Sequence, residues 1–542
     1  MPARFHLPLA ILHSLAMLLC TSTPLSARPV DDDALRTVAE ASDFTRTATH
    51  AEVMALIDRL LETGPHLRRG TLGTSDEGRD LPLLIAARPP VETAVAARAL
   101  GKPIIFAFGN IHAGEVCGKE ALLMLARELA LDPEHPMLDD LTLVLAPIFN
   151  ADGNDRMAPD NRPGQNGPEE MGQRPNARGL DLNRDFVKLE SPEARALVTF
   201  LTEWDPHLTI DCHTTNGSHH QYTLTFEAPT NPSGPAAPIE FVRDTLLPEV
   251  AERLEARTGY KTFFYGNFNR EMNVWGTYSA LPRFGGPYQG LRGQMSILSE
   301  AHSYAPFEDR VRCTLEFVRE ICTFAAEETD TILTLHARAR AGVTAAGLQP
   351  QPDDLVGIRH TWAAFPRPIT IAGYVMEPRE RGRPRPTEVP RDYEVLHLGR
   401  FEATRSVARP HGYILVPGLE SVVENLRQHG IIVEPITGNG RFEQYRIDDI
   451  ARRTRPFQGH HLVTVEATAT PIRRALPPGS MFVTCAQPLG TLAAYLLEPE
   501  SEDGLVAWNF FDGILAPGEP YPVWRLRHPS DLDGRTERIG DP

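Results

Sequence analysis

The sequence predicts an α/β chain: a mixed, largely parallel central sheet with flanking helices, followed by a smaller β-rich C-terminal region. Three observations lead there. Between about residues 35 and 345, apolar runs of strand length alternate with helical patterns, as successive β-α units do. Near residue 345 the texture changes to stiff, polar, Pro- and Arg-rich stretches poor in core residues. Beyond them short strand-like runs dominate. At 542 residues the chain also exceeds what one hydrophobic core usually supports.

Residues 1–27 have the pattern of a secretory signal, with Arg4 ahead of an apolar stretch from Leu7 to Cys20 and small residues at Ser26 and Ala27. The stretch is too short for a membrane anchor, and no other segment approaches a span. The expected location is therefore periplasmic or extracellular. In the 35–345 domain, Pro103 to Asn110 holds a buried-strand run, and Gly118 to Ala130 reads as a helix. Leu141 to Phe149 is a second strand, and Ser191-Pro192-Glu193 opens a helix with Ser as N-cap. Leu208 to Cys212 and Met295 to Ser299 are further strands. Residues 346–392 read as a linker and the start of the C-terminal region, and 393–542 as a C-terminal domain whose role composition does not reveal. Within it, His411 to Pro417 looks like a strand, Ser421-x-x-Glu424 like a capping box, and Ile431 to Pro435 like a strand after Gly430 ends the helix.

The net charge of -17 and the lack of any basic block exclude a nucleic-acid partner. Export would permit disulfides, yet the five cysteines after the signal show neither framework spacing nor a C-x-x-C pair. Any metal must therefore use other ligands.

Such ligands follow the first strand as His112-Ala-Gly-Glu115. H-x-x-E is weak by itself, but ligands in parallel α/β sheets gather beyond the carboxyl ends of strands. The strand Leu208–Cys212 also ends in a histidine, His213. Two His and one Glu leave a fourth position open, the catalytic arrangement for zinc. His219 and His220 are rival ligands, expected on an exposed loop beyond Asn216-Gly217.

His112-x-x-Glu115, Asn150-Ala-Asp-Gly153, Asp181-Leu-Asn-Arg184, His213 and Glu300, in that order, resemble the zinc carboxypeptidases of the carboxypeptidase A type over roughly residues 50–330. The resemblance implies one zinc per chain on His112, Glu115 and His213. It also implies Glu300 as the base that activates water, Arg174 as oxyanion donor, and Asn183 with Arg184 as the grip on a substrate's terminal carboxylate. Asp181 would hydrogen-bond a zinc histidine, and either Tyr278 or Tyr288 would cover the substrate. Gly114 replaces the arginine that stands next to the metal glutamate in well-known members, which implies one fewer positive charge at the site. The implied function is hydrolysis of a peptide or related amide beside a free carboxylate. Three alternatives share the scaffold: an acylase resembling aspartoacylase and succinylglutamate desuccinylase, a cell-wall peptide hydrolase, and a non-catalytic binding protein.

Overall fold

The structure is a computed structural model that describes Met1, residues 32–378 and residues 385–533. The signal segment and most of the Pro/Arg-rich run at 377–386 lie outside the described residues.

Eight strands form the main sheet: β1 (Leu67–Thr74), β2 (Asp80–Ala86), β3 (Ile104–Gly109), β4 (Thr142–Ala146), β5 (Leu208–Thr215), β6 (Leu224–Glu227), β7 (Thr262–Phe264) and β8 (Met295–His302). Their spatial order is β1-β2-β4-β3-β5-β8-β6-β7. The centre, β4-β3-β5-β8, is parallel, whereas β1-β2, β2-β4 and β8-β6 pair antiparallel. Alternation along β3 sorts the layers: Ile105 and Ala107 face one core, while Ile104, Phe106 and Phe108 face the other. Helices α1 (Cys117–Leu131) and α3 (Phe307–Glu327) cover the first face, and α2 (Pro192–Trp204) covers part of the second. Helix α1 can lie against β5 because a Cβ at Gly118 would stand 2.5 Å from the Cβ of Cys212.

The second core does not end with the N-terminal half. Val356, Tyr413, Val422, Leu426, Tyr445 and Tyr495 join Phe106, Phe108 and Leu197 in one apolar cluster. Helix α4 (Thr329–Leu348) runs across the expected boundary near 345. Residues 346–392 are not a linker in the described structure: Leu355–Ala363, Ile369–Glu377 and the start of Arg385–Leu398 are strands. The last two pair antiparallel, and their Ile371, Tyr393 and Val395 bury Trp275, so cross-strand packing overrides the composition. Leu355–Ala363 pairs antiparallel with Arg400–Ala408, and the strands from Gly412 onward build a seven-stranded sheet.

Two local expectations fail here. The capping box at Ser421 does not form, because the helix α5 (Glu420–Gln428) begins two residues earlier, with Leu419 in the N-cap position. Strand pairing after Gly430 shrinks to Glu434–Pro435. By contrast, Ser191 caps α2 as read, its side chain accepting from Ala194 N.

Candidate active site

Four segments meet at one pocket of about 550 Å³. β3 ends at Gly109, Asn110 takes a left-handed conformation at φ 68°, and the chain turns so that Glu115 N–H donates to His112 O at 2.8 Å. This turn presents His112 and Glu115 just ahead of α1. His213 and Glu300 sit side by side as register partners on the parallel strands β5 and β8. The turn Asp181–Arg184 supplies the fourth edge.

His112, Glu115 and His213 are all buried and bring one ligand atom each to within 4.8 Å of one another. His112 Nε2 lies 3.1 Å from Asp181 Oδ1, and His213 Nε2 lies 3.0 Å from Asp211 Oδ2. A carboxylate on each outer nitrogen fixes that nitrogen as the N–H donor and leaves both Nδ1 atoms as lone pairs. Those two Nδ1 atoms face each other at 3.2 Å, and each is about 3 Å from a Glu115 oxygen, at 3.0 and 2.9 Å. Convergent lone pairs with a carboxylate are the donor set of a divalent transition metal, and two His with one carboxylate suit catalytic zinc.

Charge around this trio is strongly organised. Burial alone would raise the Glu115 carboxyl, but His112 and Arg162 hold it well below the usual carboxylate range. Burial likewise opposes ionisation of Asp181, and His112, Arg184 and Arg174 overcome it. Glu300 has the opposite balance: burial, with Glu115 and Asp211, pushes its carboxyl up to about 8 against the pull of His213. Its Oε2 is shielded from solvent and has no hydrogen-bond partner among the described residues. A carboxylate beside the metal ligands but held by nothing suits a proton carrier.

Arg174 donates from Nε to Asp181 Oδ2 at 2.9 Å and stands 3.5 Å from Glu115 through a second nitrogen. Arg184 lies over the Phe284 ring at 4.1 Å and donates to Asn183 O, and it makes no ion pair among the described residues. Asn183 accepts from Gly285 N–H through Oδ1. Tyr278 lines the pocket with Tyr265 and Phe284, its ring 5.8 and 5.6 Å from theirs.

Three expectations are corrected. Tyr288 does not face the pocket: it is fully buried, and its hydroxyl meets His429 Nδ1 at 2.8 Å and Arg292 at 3.2 Å. Its Gly-rich surroundings form a short helix, Gly285–Leu291, that turns the ring into the second core. The positive charge thought lost at Gly114 is replaced by Arg162, which sits 2.9 Å from Glu115 and donates to Thr214 O. A Cβ at position 114 would come within 2.6 Å of Arg162 Cγ, so the glycine makes room for this arginine. His220 is buried rather than loop-exposed, stacked on His302 at 3.9 Å, and neither it nor His219 approaches the metal trio as a ligand.

Arg162, Tyr265 and Asp211 are site residues that sequence reasoning missed. Asp211 had a signal, since its side chain falls on the same face of β5 as His213, two residues on.

Residues 53–233 match the family model described as zinc carboxypeptidase. The chain carries a zinc carboxypeptidase domain.

Carboxypeptidase D of Rattus norvegicus is 35% identical over 157 residues, which is 24% of this chain and 11% of that protein. Carboxypeptidase Z of Homo sapiens is 32% identical over 180 residues, 31% of this chain and 26% of that protein. The chain thus covers about a quarter or less of these relatives' length. Among solved structures, a metallo-carboxypeptidase from Pseudomonas aeruginosa is similar at 18% identity and a TM-score of 0.38, covering 52% of this chain and 68% of that one. Every motif of the zinc carboxypeptidase domain up to His213 falls inside the matched residues, and Glu300 lies beyond them.

Proposed function

We propose that this chain is an exported, zinc-dependent carboxypeptidase that hydrolyses a peptide or related amide bond next to a free C-terminal carboxylate. One observation carries the substrate assignment: Arg184, in the metal-site pocket, has no anionic partner among the described residues. Burial lowers its pKa from the usual arginine value, and the nearby Arg174 and Arg283 push the same way, against Asp181. A carboxylate arriving there would neutralise that charge through two parallel N–H donors.

Zinc held by His112, Glu115 and His213 would polarise a water and the scissile carbonyl. Glu300, whose ionised form a cation on the adjacent trio would favour, takes a proton from the attacking water and delivers it to the leaving amine. Arg174 supplies a fixed positive donor for the charge that develops on the carbonyl oxygen. Asp181 and Asp211 keep the two histidines in the tautomer that leaves Nδ1 bare, and Tyr265, Tyr278 and Phe284 wall the pocket against water.

The test compares peptides ending in a free acid and in an amide. A charge-assisted contact is worth about 1.5–3 kcal/mol, so amidation should cost at least about tenfold in kcat/KM. Arg184→Met should cost as much on the free acid and little more on the amide, because both changes remove one interaction. Equal cleavage of both peptides by the unaltered protein would sink the reading and point to an endopeptidase or another amidohydrolase.

A further inference from the structure

We infer that a turn in the C-terminal region, centred on Gln458, is a working part of this active site, with Gln458 as a positioning residue for the Asp181–Arg184 turn. The inference rests on the carboxypeptidase reading for its activity readout only.

The turn is Phe457-Gln458-Gly459-His460, closed by reciprocal backbone bonds between Phe457 and His460 at 2.8 and 3.0 Å. Both central residues have positive φ, 50° at Gln458 and 82° at Gly459. Such two-residue turns favour Asn, Asp or Gly at the first central position, and a left-handed longer side chain is held at a local cost. Gln at that position supplies something a shorter side chain cannot, namely reach. Its Oε1 accepts the backbone N–H of Asp181 at 2.9 Å, across 277 residues of sequence.

Asp181 is the branching point of the site. Its Oδ1 meets His112 Nε2 and Asn183 N–H, its Oδ2 meets Arg174, and Arg184 lies three residues on. A bond to the Asp181 backbone therefore steadies one metal histidine, the oxyanion arginine and the carboxylate grip together.

The turn is in turn clamped to the catalytic half. His460 bridges Glu190 at 2.8 Å and Asn509 at 3.0 Å. Arg283 lies over Phe457 at 5.0 Å and Trp508 at 4.8 Å, paired with the fully buried Asp503 at 2.6 Å. The next residue, Phe284, carries Arg184 on its ring. The C-terminal region thus fixes Arg184 from two sides, through Gln458 and through Asp503-Arg283-Phe284.

The experiment uses the full chain loaded with zinc, with Gln458→Asn and Gln458→Glu. Asn suits the left-handed backbone but is one methylene too short, so it removes the contact and keeps the turn. Glu keeps the length and the acceptor oxygen. Three quantities are read: thermal melting, the rate of zinc release to a chelator, and kcat and KM on a free-acid peptide. We expect Gln458→Asn to melt like the parent, to release zinc about three- to tenfold faster, and to lose about three- to tenfold in kcat/KM, mainly through KM. Gln458→Glu should restore zinc release and kcat/KM to near the parent values. Parental zinc release and parental kinetics in Gln458→Asn would overturn the assignment, as would equal losses in both variants. If the parent cleaves no peptide, the carboxypeptidase reading falls while zinc release still decides the role of Gln458.

Discussion

In the proposed reaction Glu300 is the base, because its free oxygen sits beside His213 with no hydrogen-bond partner among the described residues. Glu300→Gln should retain zinc by elemental analysis yet lose about 10²–10⁴-fold in turnover, the usual weight of a general base. Near-normal turnover would mean that another group activates the water. Gly114 makes a second residue-level case. A Cβ there would stand 2.5 Å from Gly172 O and 2.6 Å from Arg162 Cγ, so backbone must move. Gly114→Ala should lower stability by about 1–3 kcal/mol in urea titration, the range for overpacking. At this scale the metal trio and Glu300 were readable from sequence because strand ends place them. Arg162 was not, because no spacing rule ties the irregular 155–175 loop to the pocket. The two tyrosines could not be separated either, since spacing alone does not say which way the helix Gly285–Leu291 turns its ring.

Among the elements, α2 shows how a helix start can hold more than the helix. Ser191 caps it, and the same hydroxyl donates to Asp185 Oδ2 at 2.7 Å, next to the Asp181–Arg184 turn. Ser191→Ala should cost about 1–2 kcal/mol, toward the upper end for lost N-caps because a buried carboxylate loses a donor too. A change below a few tenths of a kcal/mol in denaturant midpoint analysis would contradict that assignment. The sequence located the four parallel strands at the centre of the main sheet but not β1, β2, β6 and β7, and it stopped β5 and β8 short: they run on to Thr215 and His302. His213 and Glu300 are thereby held by strand pairing rather than by loops, which the apolar pattern could not report because polar residues end an apolar run. The capping box at Ser421 misled for a related reason. A four-residue motif is local, whereas the start of α5 is set by burial of Val422 and Leu426 in the shared core.

At the scale of the molecule, the two halves form one unit. His429 shows the coupling: its Nε2 donates to Val187 O at 3.0 Å, so Nδ1 must accept from Tyr288. Burial, with Arg292 adding to it, pushes its pKa down to about 3 against the bond to Val187. The folded state then binds fewer protons than the unfolded state between about pH 3 and 6.5, so stability falls as pH drops through that window. From pH 7 to pH 5 this one histidine should account for about 2 kcal/mol. His429→Gln should flatten the pH dependence of the unfolding free energy by that amount, and parallel curves would refute it. A chain ending at residue 345 should likewise fail to give a cooperative melt, because it strips one side of the second core.

The hydrogen bond between Gln458 and Asp181 has a consequence for heredity. When homologous genes recombine, any single crossover between those two codons brings a turn from one parent against a catalytic loop from the other. Chimaeras of diverged parents joined near residue 345, the position that composition marks as a natural seam, should therefore fold with impaired zinc retention more often than chimaeras joined before residue 181. A shuffled library sorted by zinc content would display that bias as a gap in surviving crossovers across the middle of the gene.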